Sequence, residues 1–170
     1  MMDMKPENSE LVELTATIVS AYVSNNTVVA GTGTDTIYAA GNSLTFDGGG
    51  DKYIFNGSVG GGGSTSLVGQ SWQLNNTTVE NLGNFDNIDI TDILESDATL
   101  SYLDNGNNTG VLTVASMSDP SIFATMALIG QYSQSGFQLG TTGSDTLVTY
   151  NTAITTAYDN PFVAPSHPTV

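Results

Sequence analysis

The chain has 170 residues, enough for one domain with a buried core or for two small ones. It carries 17 acidic residues against two lysines, and the resulting net charge of −15 excludes the clustered Lys/Arg that binding to a nucleic-acid backbone requires. Cysteine is absent, which excludes disulfides and thiolate metal sites, and no apolar run reaches the roughly 18 residues of a membrane span.

Residues 7–24 have the period of an amphipathic helix. Apolar side chains recur at steps of three and four residues: Leu11, Leu14, Ile18, Ala21 and Tyr22. Glu10 and Glu13 fall in the first turns, where the helix dipole favours negative charge. The pattern predicts one N-terminal α-helix within residues 1–29, which either caps the end of a β core or serves self-association.

The amino-acid sequence of residues 8–28 also resembles that of a known helix. Leu11 to Val28, LVELTATIVSAYVSNNTV, is similar to the N-terminal helix of Ros/MucR-type bacterial transcriptional regulators. In that family this segment is associated with self-association, and DNA is bound by a zinc finger with Cys and His ligands and basic residues. The chain has no Cys, no Arg and one His. The resemblance therefore implies self-association, with a DNA-binding regulator fragment as an alternative function.

The next stretch carries a glycine-aspartate motif. Residues 30–38, AGTGTDTIY, follow the calcium-binding β-helix nonapeptide G-G-x-G-x-D-x-U-x, with Ala30 in the first glycine place. Gly31, Gly33 and Asp35 occupy the second, fourth and sixth places. A second, imperfect copy spans residues 47–55, DGGGDKYIF, and contributes Gly49 and Asp51.

These two copies predict a calcium site. Glycine permits the backbone shapes that turn carbonyl oxygens inward, and aspartate supplies the carboxylate oxygens that calcium prefers. The predicted ligands are therefore the backbone oxygens of Gly31, Gly33 and Gly49 and the carboxylates of Asp35 and Asp51. The alternative is a pair of Gly/Asp turns without metal. Residues 30–57 resemble the β-roll of RTX-type secreted proteins, which implies that calcium serves folding rather than catalysis.

Residues 58–83 are also rich in turn-forming Gly and Asn residues. A glycine-rich join is followed by QSWQLNNTTVENLG, in which single apolar residues are separated by Asn, Thr and Gly. This spacing is typical of short strands that turn every few residues, as in a parallel β-helix. We therefore predict a Gly/Asp/Asn-rich β-roll or β-helix-like region over residues 30–83.

Residues 84–150 form a second predicted module. Strands are predicted at 98–103, 110–116, 123–130, 136–139 and 146–150, and the sequence DNGNN at 104–108 is a strong hairpin-turn signal. The order GVLTV…ATMALIGQYSQSGFQLG…TLVTY resembles a module near the C-terminus of large exported proteins of alphaproteobacteria, often beside RTX-type repeats. The resemblance implies an accessory antiparallel β module with no chemistry of its own. Residues 151–170 are predicted to be an extended tail.

Residues suited to catalysis are few. His167 is the single histidine and lies in a Pro-flanked tail, a poor place for a positioned base. The carboxylates Asp86, Asp89, Asp92, Glu95 and Asp97 follow one another closely, but their spacing picks out no acid/base pair. We interpret them as a solvated acidic edge, with a second cation site as the alternative. The sequence predicts no enzyme, and a polysaccharide-active β-helix enzyme is the remaining enzymatic alternative.

Together these patterns predict a mainly β fold: a β-roll or parallel β-helix-like middle, an antiparallel β C-terminal module and one N-terminal α-helix. The predicted function is a non-enzymatic, adhesin-like structural protein of the bacterial exterior or cell surface, stabilised by calcium. Self-association into oligomers or filaments is predicted, and no nucleic-acid partner is expected. A fusion of two unrelated gene pieces is an alternative, because the two resemblances come from different cellular compartments.

Overall fold

The computed structural model describes residues 18–21, 27–30, 33–39, 51–55 and 63–151. Within these residues the chain is mainly β, as predicted. The strands are β1 (Ile18–Ala21), β2 (Thr27–Val29), β3 (Thr34–Ala39), β4 (Lys52–Ile54), β5 (Ser64–Gly69), β6 (Thr78–Glu80), β7 (Asn87–Leu94), β8 (Ala98–Gly106), β9 (Thr109–Ser116), β10 (Phe123–Ile129), β11 (Phe137–Thr142) and β12 (Asp145–Tyr150). One short helix, α1 (Ser71–Leu74), and two 3₁₀ turns, Glu95–Asp97 and Gln134–Gly136, complete the described elements.

The strands form two six-stranded sheets. Sheet 1 has the order β1-β3-β5-β7-β12-β11, and sheet 2 has the order β2-β4-β6-β10-β9-β8. From β1 to β7 successive strands alternate between the sheets, and neighbours within each sheet are parallel. From β8 to β12 the chain pairs mostly antiparallel, apart from β10, which lies parallel to β6. Both sheets are therefore mixed, with a parallel half and an antiparallel half.

The predicted N-terminal helix is wrong where the structure describes it. Ile18–Ala21 form β1, which pairs in parallel with β3. Ile18 and Val19 are β-branched, and pairing with the open edge of β3 overrides the helical period of the segment. The rest of residues 7–24 lies outside the described residues. The boundaries at residues 29, 83 and 150 stay predictions.

The hydrophobic core lies between the two sheets. In sheet 1 a row of paired, buried positions crosses the strands: Ile37, Leu67, Ile88 and Val148. In sheet 2 the corresponding row is Val28, Tyr53, Val79 and Leu128. Each strand thus contributes an inward side chain to a continuous apolar row, because side chains alternate between the two faces of a strand. One cluster of buried side chains contains both rows.

An aromatic cluster closes the antiparallel half. It consists of Tyr102, Tyr132, Phe137 and Tyr150, whose neighbouring ring centroids lie 4.8–6.2 Å apart. The rings require glycine beside them: a Cβ at Gly110 would lie 2.1 Å from the Tyr102 hydroxyl oxygen, and one at Gly136 would lie 2.3 Å from a Tyr150 ring carbon. Burial raises the pKa of Tyr132 to about 12. Its hydroxyl accepts a hydrogen bond from the Leu82 N–H (2.8 Å), which ties the cluster to the segment before β7.

Candidate functional site

The structure describes three of the five predicted calcium ligands. Gly33 immediately precedes β3, Asp35 lies within β3 in sheet 1, and Asp51 immediately precedes β4 in sheet 2. Gly31 and Gly49 lie outside the described residues. The two carboxylates are therefore placed on different sheets, and no strand pairing joins them. Both are buried, with 1% of Asp35 and 3% of Asp51 exposed.

Asp51 contacts residues of its own sheet. Its Oδ2 accepts a hydrogen bond from the Tyr53 hydroxyl (3.4 Å), and its carbonyl oxygen accepts one from the Thr78 N–H (2.8 Å). Burial of the ring and the nearby Asp51 carboxylate both raise the pKa of Tyr53, so that this phenol stays neutral. Asp51 thus anchors the start of β4 against β6.

Asp35 belongs to a row of buried polar residues in sheet 1, which we call the inner polar row: Asp35, Thr65 and Asp86. Asp35 pairs with Thr65, and the pairing of Ser66 with Asn87 places Asp86 beside Thr65 on the next strand. Paired positions on neighbouring parallel strands lie about 4.8 Å apart and direct their side chains to the same face. All three side chains are at most 1% exposed. The row therefore faces the interior, at the end of sheet 1 where β3, β5 and β7 begin.

Asp86 links two successive passes of the chain through sheet 1. Its Oδ1 accepts a hydrogen bond from the Thr65 N–H (2.7 Å), and its Oδ2 accepts one from the Gly83 N–H (2.8 Å). The interpretation of Asp86 as part of a solvated acidic edge is therefore wrong. Asp92, another member of that set, accepts bonds from the Ser71 N–H (2.6 Å) and hydroxyl (2.7 Å) and so holds the start of α1.

Thr65 contributes a buried hydroxyl group to the inner polar row. Its side chain is fully buried, and its hydroxyl oxygen has no hydrogen-bond partner among the described residues. A buried hydroxyl without a partner costs about 1–3 kcal/mol. Two carboxylates and a hydroxyl on adjacent strands are hard oxygen donors, the ligand type that calcium prefers.

Positive charge is scarce near this row. Lys52, the one lysine within the described ranges, bonds to Glu80 in sheet 2 with an Nζ–Oε2 distance of 2.7 Å. Buried carboxylates need hydrogen bonds or a cation for compensation. The described residues contain no cluster of three or more His, Cys, Asp or Glu side chains with metal-site geometry. A calcium ion at the row would accordingly need backbone carbonyl oxygens or water as further ligands, since calcium takes six to eight oxygens.

Thr65 could not be found from sequence pattern, because it stands in a Ser/Thr-rich run without a Gly/Asp motif. Asp86 is predicted only as part of an acidic edge or of a second cation site, and no pattern joins it to Asp35. The signal that joins them to Asp35 is strand register, and the loops that set this register differ in length from one pass of the chain to the next. Only the pairing of β3, β5 and β7 brings the three residues together.

Among the described residues, no helix combines the length and the apolar character needed to cross a bilayer. Comparison of the chain with protein-family models, with curated proteins and with solved structures found no match.

Proposed function

We propose that the chain is a non-enzymatic structural protein of the bacterial exterior or cell surface, in which one calcium ion at the inner polar row stabilises the parallel half of the fold. The observation that carries this proposal is the row itself: two buried carboxylates flank a buried hydroxyl without a partner among the described residues. The ion would join neighbouring strands through Asp35 and Thr65, with Asp86 next in the row.

The topology supports this proposal. β1 to β7 alternate between two sheets and pair in parallel within each, the arrangement that a β-roll-like coil requires. The Gly/Asp motif of residues 30–38, which resembles the RTX-type nonapeptide, overlaps β3 and contains Asp35. A calcium ion between strands would offset the repulsion within a chain of net charge −15. Extracellular calcium modules work at about 10⁻⁴–10⁻³ M calcium, and an exterior location predicts a Kd in this range for the proposed site.

Calcium is expected to raise the melting temperature of the wild-type protein. At a calcium concentration about 100 times the Kd the gain is about 2.7 kcal/mol, or roughly 5–10 °C for a chain of this size. Asp35→Asn and Thr65→Val should each remove most of the gain, measured by differential scanning calorimetry with and without calcium chloride. Thr65→Val keeps the side-chain shape and the N–H bond to Asp86, so its effect isolates the hydroxyl.

Two further variants control this experiment. Asp119→Asn alters an exposed carboxylate that accepts a bond from the Ser121 hydroxyl (2.6 Å), and it should keep the full gain. Asp51→Asn should also keep it, because Asp51 lies in the other sheet. An unchanged calcium-dependent gain in melting temperature for Asp35→Asn would refute the site at the inner polar row. A loss of that gain in Asp51→Asn alone would show that calcium binds at the start of β4 instead.

Self-association is a second candidate function, favoured by the outer face of β8, β9 and β10. Its outward positions carry no charge: Thr99, Ser101, Leu103, Thr109, Val111, Thr113, Ala115, Phe123, Thr125, Ala127 and Ile129. Leu103 and Phe123 are 67% and 41% exposed. In a protein of net charge −15, contact between two copies through this uncharged face would avoid like-charge repulsion between the facing side chains.

A charge placed in the middle of this face should abolish self-association. Thr113 pairs with Ser101 on one side and Thr125 on the other, so Thr113→Asp puts a carboxylate at the centre of the face. Sedimentation velocity over a concentration series should show larger species for the wild type and monomers for Thr113→Asp. Thr149→Asp, on the outer face of sheet 1, serves as the control and should behave as the wild type. A wild-type protein that stays monomeric at every concentration would rule the interface out.

A further inference from the structure

A polar pocket lies at the tip of the β8–β9 hairpin, next to the end of β10. Its volume is about 280 Å³. The lining residues are Asp104, Gly106, Asn107, Asn108, Gly130, Gln131 and Tyr132. The pocket lies in the antiparallel half and shares no residue with the inner polar row.

Hydrogen bonds fix the shape of this pocket. The Gly106 N–H donates to Asp104 Oδ1 (2.8 Å), and the Gln131 side-chain amide donates to Asn108 Oδ1 (3.1 Å). The Gly130 N–H donates to the Asn108 carbonyl oxygen (2.8 Å), which joins the hairpin tip to the end of β10. Asn107 and Asn108 have positive φ angles of 53° and 59°, as a two-residue type I′ turn requires. The lining is thereby organised before any ligand binds.

The side chains of the pocket select the chemical class of the ligand. They comprise one carboxylate, three amides and one phenol ring, with no cationic and no aliphatic side chain. Anionic ligands would meet Asp104 and a protein of net charge −15, and the Tyr132 ring is the one apolar side-chain surface that the lining offers to an apolar ligand. Hydroxyl groups suit this lining, because a carboxylate accepts hydrogen bonds from them and an amide both donates and accepts.

We propose that this pocket binds one neutral sugar unit of a glycan. Asp104 accepts hydrogen bonds from sugar hydroxyls, while the amides of Asn107 and Gln131 supply further donors and acceptors. A lone carboxylate is a poor calcium site, which separates this pocket from the inner polar row. The inference goes beyond the proposed structural function and holds whether or not calcium binds at that row.

Titration of the ¹⁵N-labelled full chain with methyl glycosides of glucose, galactose, mannose and N-acetylglucosamine tests the proposal by NMR. At least one sugar should shift the amide signals of residues 104–108 and 130–132 with a Kd in the millimolar range, the affinity expected for so small a ligand. Asp104→Asn keeps an acceptor for the Gly106 N–H but loses the charge, and it should weaken binding by about tenfold.

Further variants separate recognition from folding. Gln131→Ala should weaken binding while the spectrum outside the pocket stays unchanged, and Asp119→Asn, at a turn outside the pocket, should bind as the wild type. No shift of the pocket signals with any of the four sugars would overturn the proposal. Equal affinities of the wild type, Asp104→Asn and Gln131→Ala would also overturn it. Pocket shifts that appear with calcium chloride and not with sugars would assign the pocket to a cation instead.

Discussion

Replacement of Tyr150 by alanine is expected to lower the free energy of unfolding by about 3–5 kcal/mol, the cost of deleting a large buried aromatic ring. The Tyr150 side chain is 3% exposed, and its ring centroid lies 4.8 Å from that of Phe137 and 4.9 Å from that of Tyr132. It fills the position at the end of β12 where the aromatic cluster closes the space between the sheets. Urea denaturation followed by circular dichroism measures the loss.

Tyr150→Phe is the matched control for this substitution. It keeps the ring and removes only the hydroxyl, which accepts a long hydrogen bond of 3.3 Å from the Ser133 N–H. The expected loss is about 1 kcal/mol. A loss of less than about 1 kcal/mol for Tyr150→Ala would contradict the packing described for the cluster.

The second large effect is expected at Asp86. Asp86→Ala removes the acceptor of the Thr65 and Gly83 N–H groups. Each N–H group left without an acceptor costs about 1–3 kcal/mol, so the loss of unfolding free energy from the two groups should be about 2–6 kcal/mol. Urea denaturation without calcium measures this structural effect separately from any metal binding.

Asp86→Asn is a more conservative test of the role of Asp86 as the acceptor of both N–H groups. The amide keeps one acceptor oxygen but turns its NH₂ group towards the other N–H donor, so an intermediate loss is expected. Asp119→Ala removes an exposed carboxylate that accepts the Ser121 N–H and should cost less than either Asp86 variant. Equal losses at Asp86 and Asp119 would show that Asp86 does not bridge successive passes of the chain.

The antiparallel half could be predicted closely from the sequence. The predicted strands at 98–103, 110–116 and 123–130 coincide with β8, β9 and β10 to within a few residues. Inward and outward side chains alternate along these strands, and the DNGNN sequence contains the turn residues that a tight hairpin needs. Local pattern sufficed for β8, β9 and β10 because these antiparallel neighbours follow one another in the chain.

The parallel half could be predicted only in outline. Its strands pair across long connections, so the register of Asp35 with Thr65 depends on loop lengths that no local pattern encodes. Ile18–Ala21 belong to a segment with a helical period, yet they form β1, because they pair with the edge of β3. The resemblance of residues 8–28 to Ros/MucR-type regulators and the self-association that it implies both stay predictions, and most of these residues lie outside the described ranges.

The most direct test of the calcium site is a crystal structure of the protein grown with calcium chloride, with anomalous scattering used to identify the ion. We expect an ion at the inner polar row, in contact with the Asp35 carboxylate and the Thr65 hydroxyl. Absence of an ion at this row, with calcium bound only at exposed carboxylates such as Asp119, would contradict the proposed site.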